Sequence, residues 1–221
     1  MPAIGTVPCM IWGVGTGRCG TRSLATLLRG RHEPGCWDSQ PVAYHHAGEH
    51  QDWLRGKLQE RLGLGVPAVV DLQHSYVVPL IEEIDPDATF IWMVREPVAC
   101  ISSLLSGGSW TRGDGHGRRK LSPAAGWSDV VTRLDKAIWY WLNVNQLLDR
   151  VLARRPHELW LTSELPGSVH LNRYPQYWKP TDQDTTRIES ETGALWAELR
   201  ASCAQRSRPL FREHIQHTTE E

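Results

Sequence analysis

The chain has 221 residues, 40% of them hydrophobic and 22% charged, and a net charge of −1. That length and composition suit one globular domain over residues 1–221 with a sizeable core. The near-neutral charge argues against general binding to nucleic acid or membrane surfaces. No apolar run has the length of a membrane span and no basic-then-apolar leader opens the chain. The sequence therefore predicts a cytoplasmic protein without stable membrane insertion.

Taken in chain order, residues 10–14 read as a buried strand, 15–20 as a glycine-rich turn, and the residues after it as an amphipathic helix. Residues 32–51, rich in His, Pro and Gly, read as a loop, and 50–62 as a polar helix. VPAVVDL (66–72) is a second strand, and 76–84 a short helix stopped by Asp85-Pro86. Thr89–Val94, β-branched and aromatic, suits a strand buried on both faces, and a helix follows to residue 106. Residues 107–120 are glycine-rich and basic, with Arg112, Arg118, Arg119 and Lys120 either solvated or set to meet an anion. A long helix is expected over 127–153, a fourth strand at 157–161, an irregular stretch over 165–186, and a final helix over 188–205. Strands alternating with helices imply an α/β three-layer sandwich around a parallel sheet of about four or five strands. Ligands in such sheets bind beyond the carboxyl ends of the strands, where residues 15–23, 71–75 and 95–103 all fall.

Two of those segments carry chemistry. In CMIWGVGTGRCGTRSLATLL (9–28) the glycines let the backbone turn sharply beside an anion, with loop N–H groups and a helix start aimed at it. Thr21 and Ser23 add hydroxyl donors, and Arg18 a planar, permanently charged fork. The pattern departs from the triphosphate loop G-x-x-x-x-G-K-[ST], because Thr21 stands where lysine is required and the basic residue is inside the loop. In ATFIWMVREPVACISSLLS (88–106) the strand ends abruptly in Arg95-Glu96-Pro97, Pro97 suits the first helical turn, and Ser103 lies eight residues after Arg95.

Together these segments resemble the two cofactor motifs of sulfotransferases that use 3′-phosphoadenosine 5′-phosphosulfate (PAPS). R-C-G-T matches the 5′-phosphosulfate loop, and R-E-P with a serine eight residues on matches the 3′-phosphate motif. The resemblance implies that Gly17, Arg18, Cys19, Gly20, Thr21, Arg22 and Ser23 surround the phosphosulfate. It implies that Arg95 and Ser103 hold the 3′-phosphate, and that the product is 3′,5′-adenosine bisphosphate. Arg22 is open between reaching the site and facing solvent. The family closes the 3′-phosphate site with a basic segment, often R-K-G; this chain has none, and Arg173 and Lys179 are the nearest candidates.

Sulfuryl transfer needs a base for the acceptor's proton, positive charge on the equatorial oxygens and leaving phosphate, and in-line placement. Arg18 meets the second need and no metal is implied. Glu33, in R-H-E-P, resembles the H-E of bacterial sulfotransferases whose glutamate is the proposed base. His74 in DLQHS is the second candidate, by analogy with the histidine of cytosolic members; Asp71 and His32 follow. The acceptor is expected to be a hydroxyl, first of all on a carbohydrate, with an amine, lipid or small metabolite open. The rival reading is a P-loop kinase or nucleotide hydrolase using MgATP, with Asp71 in AVVDL as a Walker-B-like residue. The absent loop lysine and the R-E-P…S segment speak against it. A catalytically silent nucleotide-binding module is the third reading.

The remaining residue types are less directive. Cys9, Cys19, Cys36, Cys100 and Cys203 form no C-x-x-C pair and read as reduced thiols, with a thiolate at Cys19 favoured by the anion loop. His45, His46 and His50 lack a zinc-ligand pattern. Of eleven tryptophans, Trp92 and Trp139 read as core, while Trp110, Trp127 and Trp178 either pack or wall a cleft.

Overall fold

The computed structural model of the protein describes residues 10–33, 51–106, 132–165 and 178–206. Five parallel strands form its central sheet: β1 (Ile11–Gly15), β2 (Arg31–His32), β3 (Ala68–Val70), β4 (Thr89–Val94) and β5 (His157–Leu161). Six helices accompany them: α1 (Thr21–Leu27), α2 (Gln51–Leu62), α3 (Val78–Ile84), α4 (Pro97–Ser106), α5 (Arg133–Leu152) and α6 (Asp182–Arg206). The architecture is an α/β three-layer sandwich with strand order β2-β3-β1-β4-β5.

Alternation along each strand sorts the apolar residues onto two faces. Trp12, Val14, Val69, Phe90, Trp92, Val94 and Leu159 enter the larger core with side chains from α2 to α6. Ile11, Ala68, Val70, Ile91, Met93 and Trp160 pack with Cys19, Leu24 and Ala25 of the first loop and α1. The register sets β1 beside both β3 (Ile11 opposite Ala68) and β4 (Gly15 opposite Met93). From β1 the chain leaves toward β2 and β3; from β4 it leaves toward β5. The carboxyl ends of β1 and β4 therefore flank the switch point where open α/β sheets hold ligands.

Local signals explain where several elements start, and correct some expected bounds. The long helix begins at Arg133, not 127, because Thr132 Oγ1 accepts the Asp135 N–H and Asp135 returns the bond to the Thr132 N–H. The last helix starts at Asp182, six residues earlier than expected, under the same reciprocal cap from Thr181 and Asp184. The second strand is shorter than residues 66–72, since Asp71 already caps a 3₁₀ turn over Leu72–Tyr76. β2 falls partly inside the stretch read as loop; two residues are too few for periodicity to reveal.

Tryptophans occupy this core because each buried indole N–H finds an acceptor. Trp92 donates to Asn145 Oδ1 (3.3 Å), Trp12 to Asp85 (2.8 Å), Trp141 to the Arg95 carbonyl (3.1 Å) and Trp160 to Glu158 (2.7 Å). Trp139 and Trp178 are half-buried against the larger core, and Trp178 is tied to α4 through Ser106. Trp110 and Trp127 lie outside the described residues. No helix among the described residues is long and apolar enough to cross a membrane.

Trp92 is fully buried at the centre of the larger core. Trp92→Ala should lower stability by about 3–5 kcal/mol through cavity formation. Urea unfolding should show this as a lower midpoint at unchanged slope.

Candidate functional site: a loop fixed from five directions

The turn between β1 and α1 is a consequence of its glycines and of what surrounds it. Gly15 has φ +148°, and a Cβ there would stand 2.5 Å from the Met93 carbonyl oxygen. Gly20 caps α1 in the left-handed region at φ 97°. Arg18, between them, takes φ 68°, a conformation rare outside glycine and held only where neighbours enforce it.

Those neighbours come from every element around the loop. Ser75 clamps Gly15, accepting its N–H at 2.9 Å and donating to its carbonyl at 3.1 Å. Tyr140 of α5 accepts the Gly17 N–H at 2.9 Å and is itself hydrogen-bonded to Tyr76. Arg95, at the end of β4, donates to the Arg18 carbonyl at 3.1 Å. Thr162, just after β5, donates to the carbonyls of Cys19 and Val94. From α4, the Cys100 thiol donates to the Gly17 carbonyl at 3.5 Å. The loop cannot shift without breaking bonds to the segments that end three other strands and to two helices.

The two sequence motifs meet here. Arg95 has no carboxylate partner among the described residues, although Glu96 is its neighbour. Both Glu96 oxygens instead cap α4, accepting the N–H groups of Val98 (2.8 Å) and Ala99 (2.7 Å). The charges of Arg95 and Arg18 both act to lower the pKa of the Cys100 thiol, though burial outweighs them. Ser103 is nearly buried and has no hydrogen-bond partner among the described residues, whereas Ser102 is engaged by the Val98 carbonyl at 2.6 Å. Of that serine pair, the one eight residues after Arg95 keeps its hydroxyl available.

The start of α1 is equally unsatisfied. It carries no side-chain cap and no acid in its first turn. The N–H groups of Gly20, Arg22 and Ser23 find no acceptor among the described residues. Ser23 is buried with no partner for its hydroxyl among the described residues, and Arg22 is exposed. Buried hydroxyl and amide groups normally have partners. Several open donors near Arg95, which has no carboxylate partner among the described residues, make a site whose chemistry fits an anion.

Other candidates fall in different places. Cys19 contributes backbone only: its thiol is fully buried under the loop, and burial pushes its pKa up, not down. The expected thiolate is thus overturned by desolvation, which outweighs the nearby N–H groups. Burial also pushes the Cys100 thiol up, to about 11; Cys19, Cys100 and Cys203 form no disulfide.

His74 lies behind the loop, fully buried, with Nδ1 on the Gly13 carbonyl (3.3 Å) and its ring edge-on to Trp12. The geometry gives it a structural place with no surface open to an acceptor. Asp71 is buried against Arg61 (3.4 Å) and caps the Gln73 N–H, so its oxygens are engaged by protein. Glu33 is half-exposed at the end of β2, with φ 43° and its N–H on the Val70 carbonyl. Its carboxylate is 3.9 Å from His32 Nε2, and that same nitrogen is 3.1 Å from Thr21 Oγ1. Glu33 and His32 therefore stand over the loop–helix junction. Lys179 is exposed away from any partner among the described residues. Arg173, the basic segment 112–120, and His45, His46 and His50 lie outside the described residues.

Sequence reasoning missed Tyr140 and Thr162. Thr162 follows a strand's carboxyl end and could have been flagged on that ground; Tyr140, mid-helix and 123 residues from Gly17, carried no signal. Comparison with known proteins adds nothing further: no protein-family model, curated protein or solved structure matches this chain.

Burial lowers the His74 pKa to about 4, against 6.5 unfolded. The unfolded state therefore binds the extra proton first, and stability contributed by neutral His74 is present above pH 6.5 and lost as pH falls toward 4. Folding stability should drop by something on the order of 3 kcal/mol across that interval. His74→Asn, which keeps a donor for the Gly13 carbonyl without an ionisable ring, should flatten the curve in pH-dependent denaturation.

Proposed function

We propose that this protein is a sulfotransferase that uses PAPS and modifies a hydroxyl or amine acceptor, with a carbohydrate hydroxyl as first candidate. The observation that carries the reading is Arg95. It is a half-buried cation, without a carboxylate partner among the described residues, hydrogen-bonded to the backbone of the anion loop at Arg18. An arginine in that state has its charge open to a ligand, and the Ser103 hydroxyl, on the helix that follows, has no hydrogen-bond partner among the described residues. Support also comes from the open donors of residues 20–23, which suit the sulfuryl and 5′-phosphate oxygens.

PAPS supplies an activated sulfuryl group when bound; the remaining work falls to the chain. Arg18 and the loop N–H groups stabilise negative charge on the equatorial oxygens and on the departing phosphate. Arg95 and Ser103 fix the far end of the nucleotide, so that orientation is set before the acceptor arrives. Glu33 is half-exposed beside the junction and takes the acceptor's proton. The buried thiols and His74 take no part. MgATP phosphotransfer gains less support, because both the loop lysine and an open Asp71 carboxylate are missing.

Binding selectivity tests the reading. In the presence of EDTA, 3′,5′-adenosine bisphosphate should stabilise the protein by about 2.7 kcal/mol at 100 times its dissociation constant. 5′-AMP and ATP should bind far more weakly. Arg95→Ala should weaken the bisphosphate about 10- to 100-fold, the size of a lost charge-assisted contact, and erase its advantage over 5′-AMP. Equal melting shifts with all three nucleotides, or a requirement for magnesium, would overturn the assignment.

A further inference from the structure

We infer that His32 is a positioning residue for the anion loop: its Nε2–H donates to Thr21 and so points the Thr21 hydroxyl proton at the bound sulfuryl group or 5′-phosphate. The inference rests on the sulfotransferase reading for the identity of that anion. Its own ground is a row of three side chains from two elements. Thr21 Oγ1 and His32 Nε2 are 3.1 Å apart, and Glu33 Oε1 lies 3.9 Å from the same nitrogen. A hydroxyl and an imidazole nitrogen can share one proton in either direction. Glu33 decides between them. A carboxylate that close to Nε2 favours a proton on that nitrogen over a bare lone pair, so the ring donates and Thr21 accepts.

The consequence lies in the other half of the Thr21 hydroxyl. Thr21 is nearly buried, 6% exposed, and among the described residues it has no acceptor for its own proton. With its oxygen accepting from His32, that proton is left for a ligand at the start of α1, next to the open N–H groups of Arg22 and Ser23. Were the ring protonated only on Nδ1, Thr21 would donate to Nε2 and the loop would lose a donor toward its anion. His32 therefore acts through Thr21 and touches no reacting atom. β2 contributes only Arg31 and His32 to the sheet, and this contact gives that short edge strand a function.

Calorimetric binding of 3′,5′-adenosine bisphosphate to the full chain tests the coupling. Thr21→Val and His32→Ala should each weaken binding about tenfold, and the double variant no more than either alone. His32→Gln, which places an amide donor where Nε2 stands, and Thr21→Ser should bind within about threefold of the unmodified protein. Histidine ¹⁵N shifts should show Nε2 protonated, and ligand-free melting temperatures should separate lost coupling from lost folding. Additive losses, unimpaired binding by a folded His32→Ala protein, or a bare Nε2 would overturn the inference and leave the sulfotransferase reading standing. Failure of the unmodified protein to bind the bisphosphate would overturn both.

Discussion

The bond from Arg95 to the Arg18 carbonyl joins the carboxyl ends of β4 and β1, and the site is organised around it. It uses the planar guanidinium to hold the anion loop and leaves the group without a carboxylate partner among the described residues. That state persists because Glu96, the next residue in the chain, is engaged in capping α4. If Glu96 paired with Arg95 instead, α4 would lose its cap and the crevice its positive charge. One local choice at the strand–helix junction thus serves both the fold and the site.

Rigidity of the loop follows from the same economy of contacts. Its backbone is bound by Ser75, Tyr140, Arg95, Thr162 and Cys100, each from a different part of the chain. The N–H groups of Gly15 and Gly17 are engaged, while those of Gly20, Arg22 and Ser23 have no acceptor among the described residues. Such a cradle is formed before a ligand arrives, so binding does not carry the cost of ordering it. The buried Arg61–Asp71 pair, beneath the turn that presents Ser75, extends this support to α2.

Much of this was legible in the sequence. β4 and β5 were bounded by their apolar runs, and the paired motifs placed Arg18, Arg95 and Ser103 at adjacent strand ends through topology alone. What failed did so for physical reasons. Cys19 was expected to favour a thiolate because charge was weighed without burial. His74 was a plausible base by its position after a strand, but the following turn rolls its ring inward under Trp12. The helix starts at Arg133 and Asp182 were recorded in T-x-x-D caps that the apolar pattern outweighed. The loop's tie to Tyr140 depends on packing between segments 123 residues apart, which no local pattern encodes.

A crystal structure with 3′,5′-adenosine bisphosphate bound tests the central claim most directly. The account predicts the 5′-phosphate against the N–H groups of Gly20, Arg22 and Ser23 and the Thr21 hydroxyl, and the 3′-phosphate on Arg95 and Ser103, with the Arg95–Arg18 bond intact. A nucleotide seated elsewhere, or one whose 3′-phosphate faces solvent while Arg95 turns away, would contradict it.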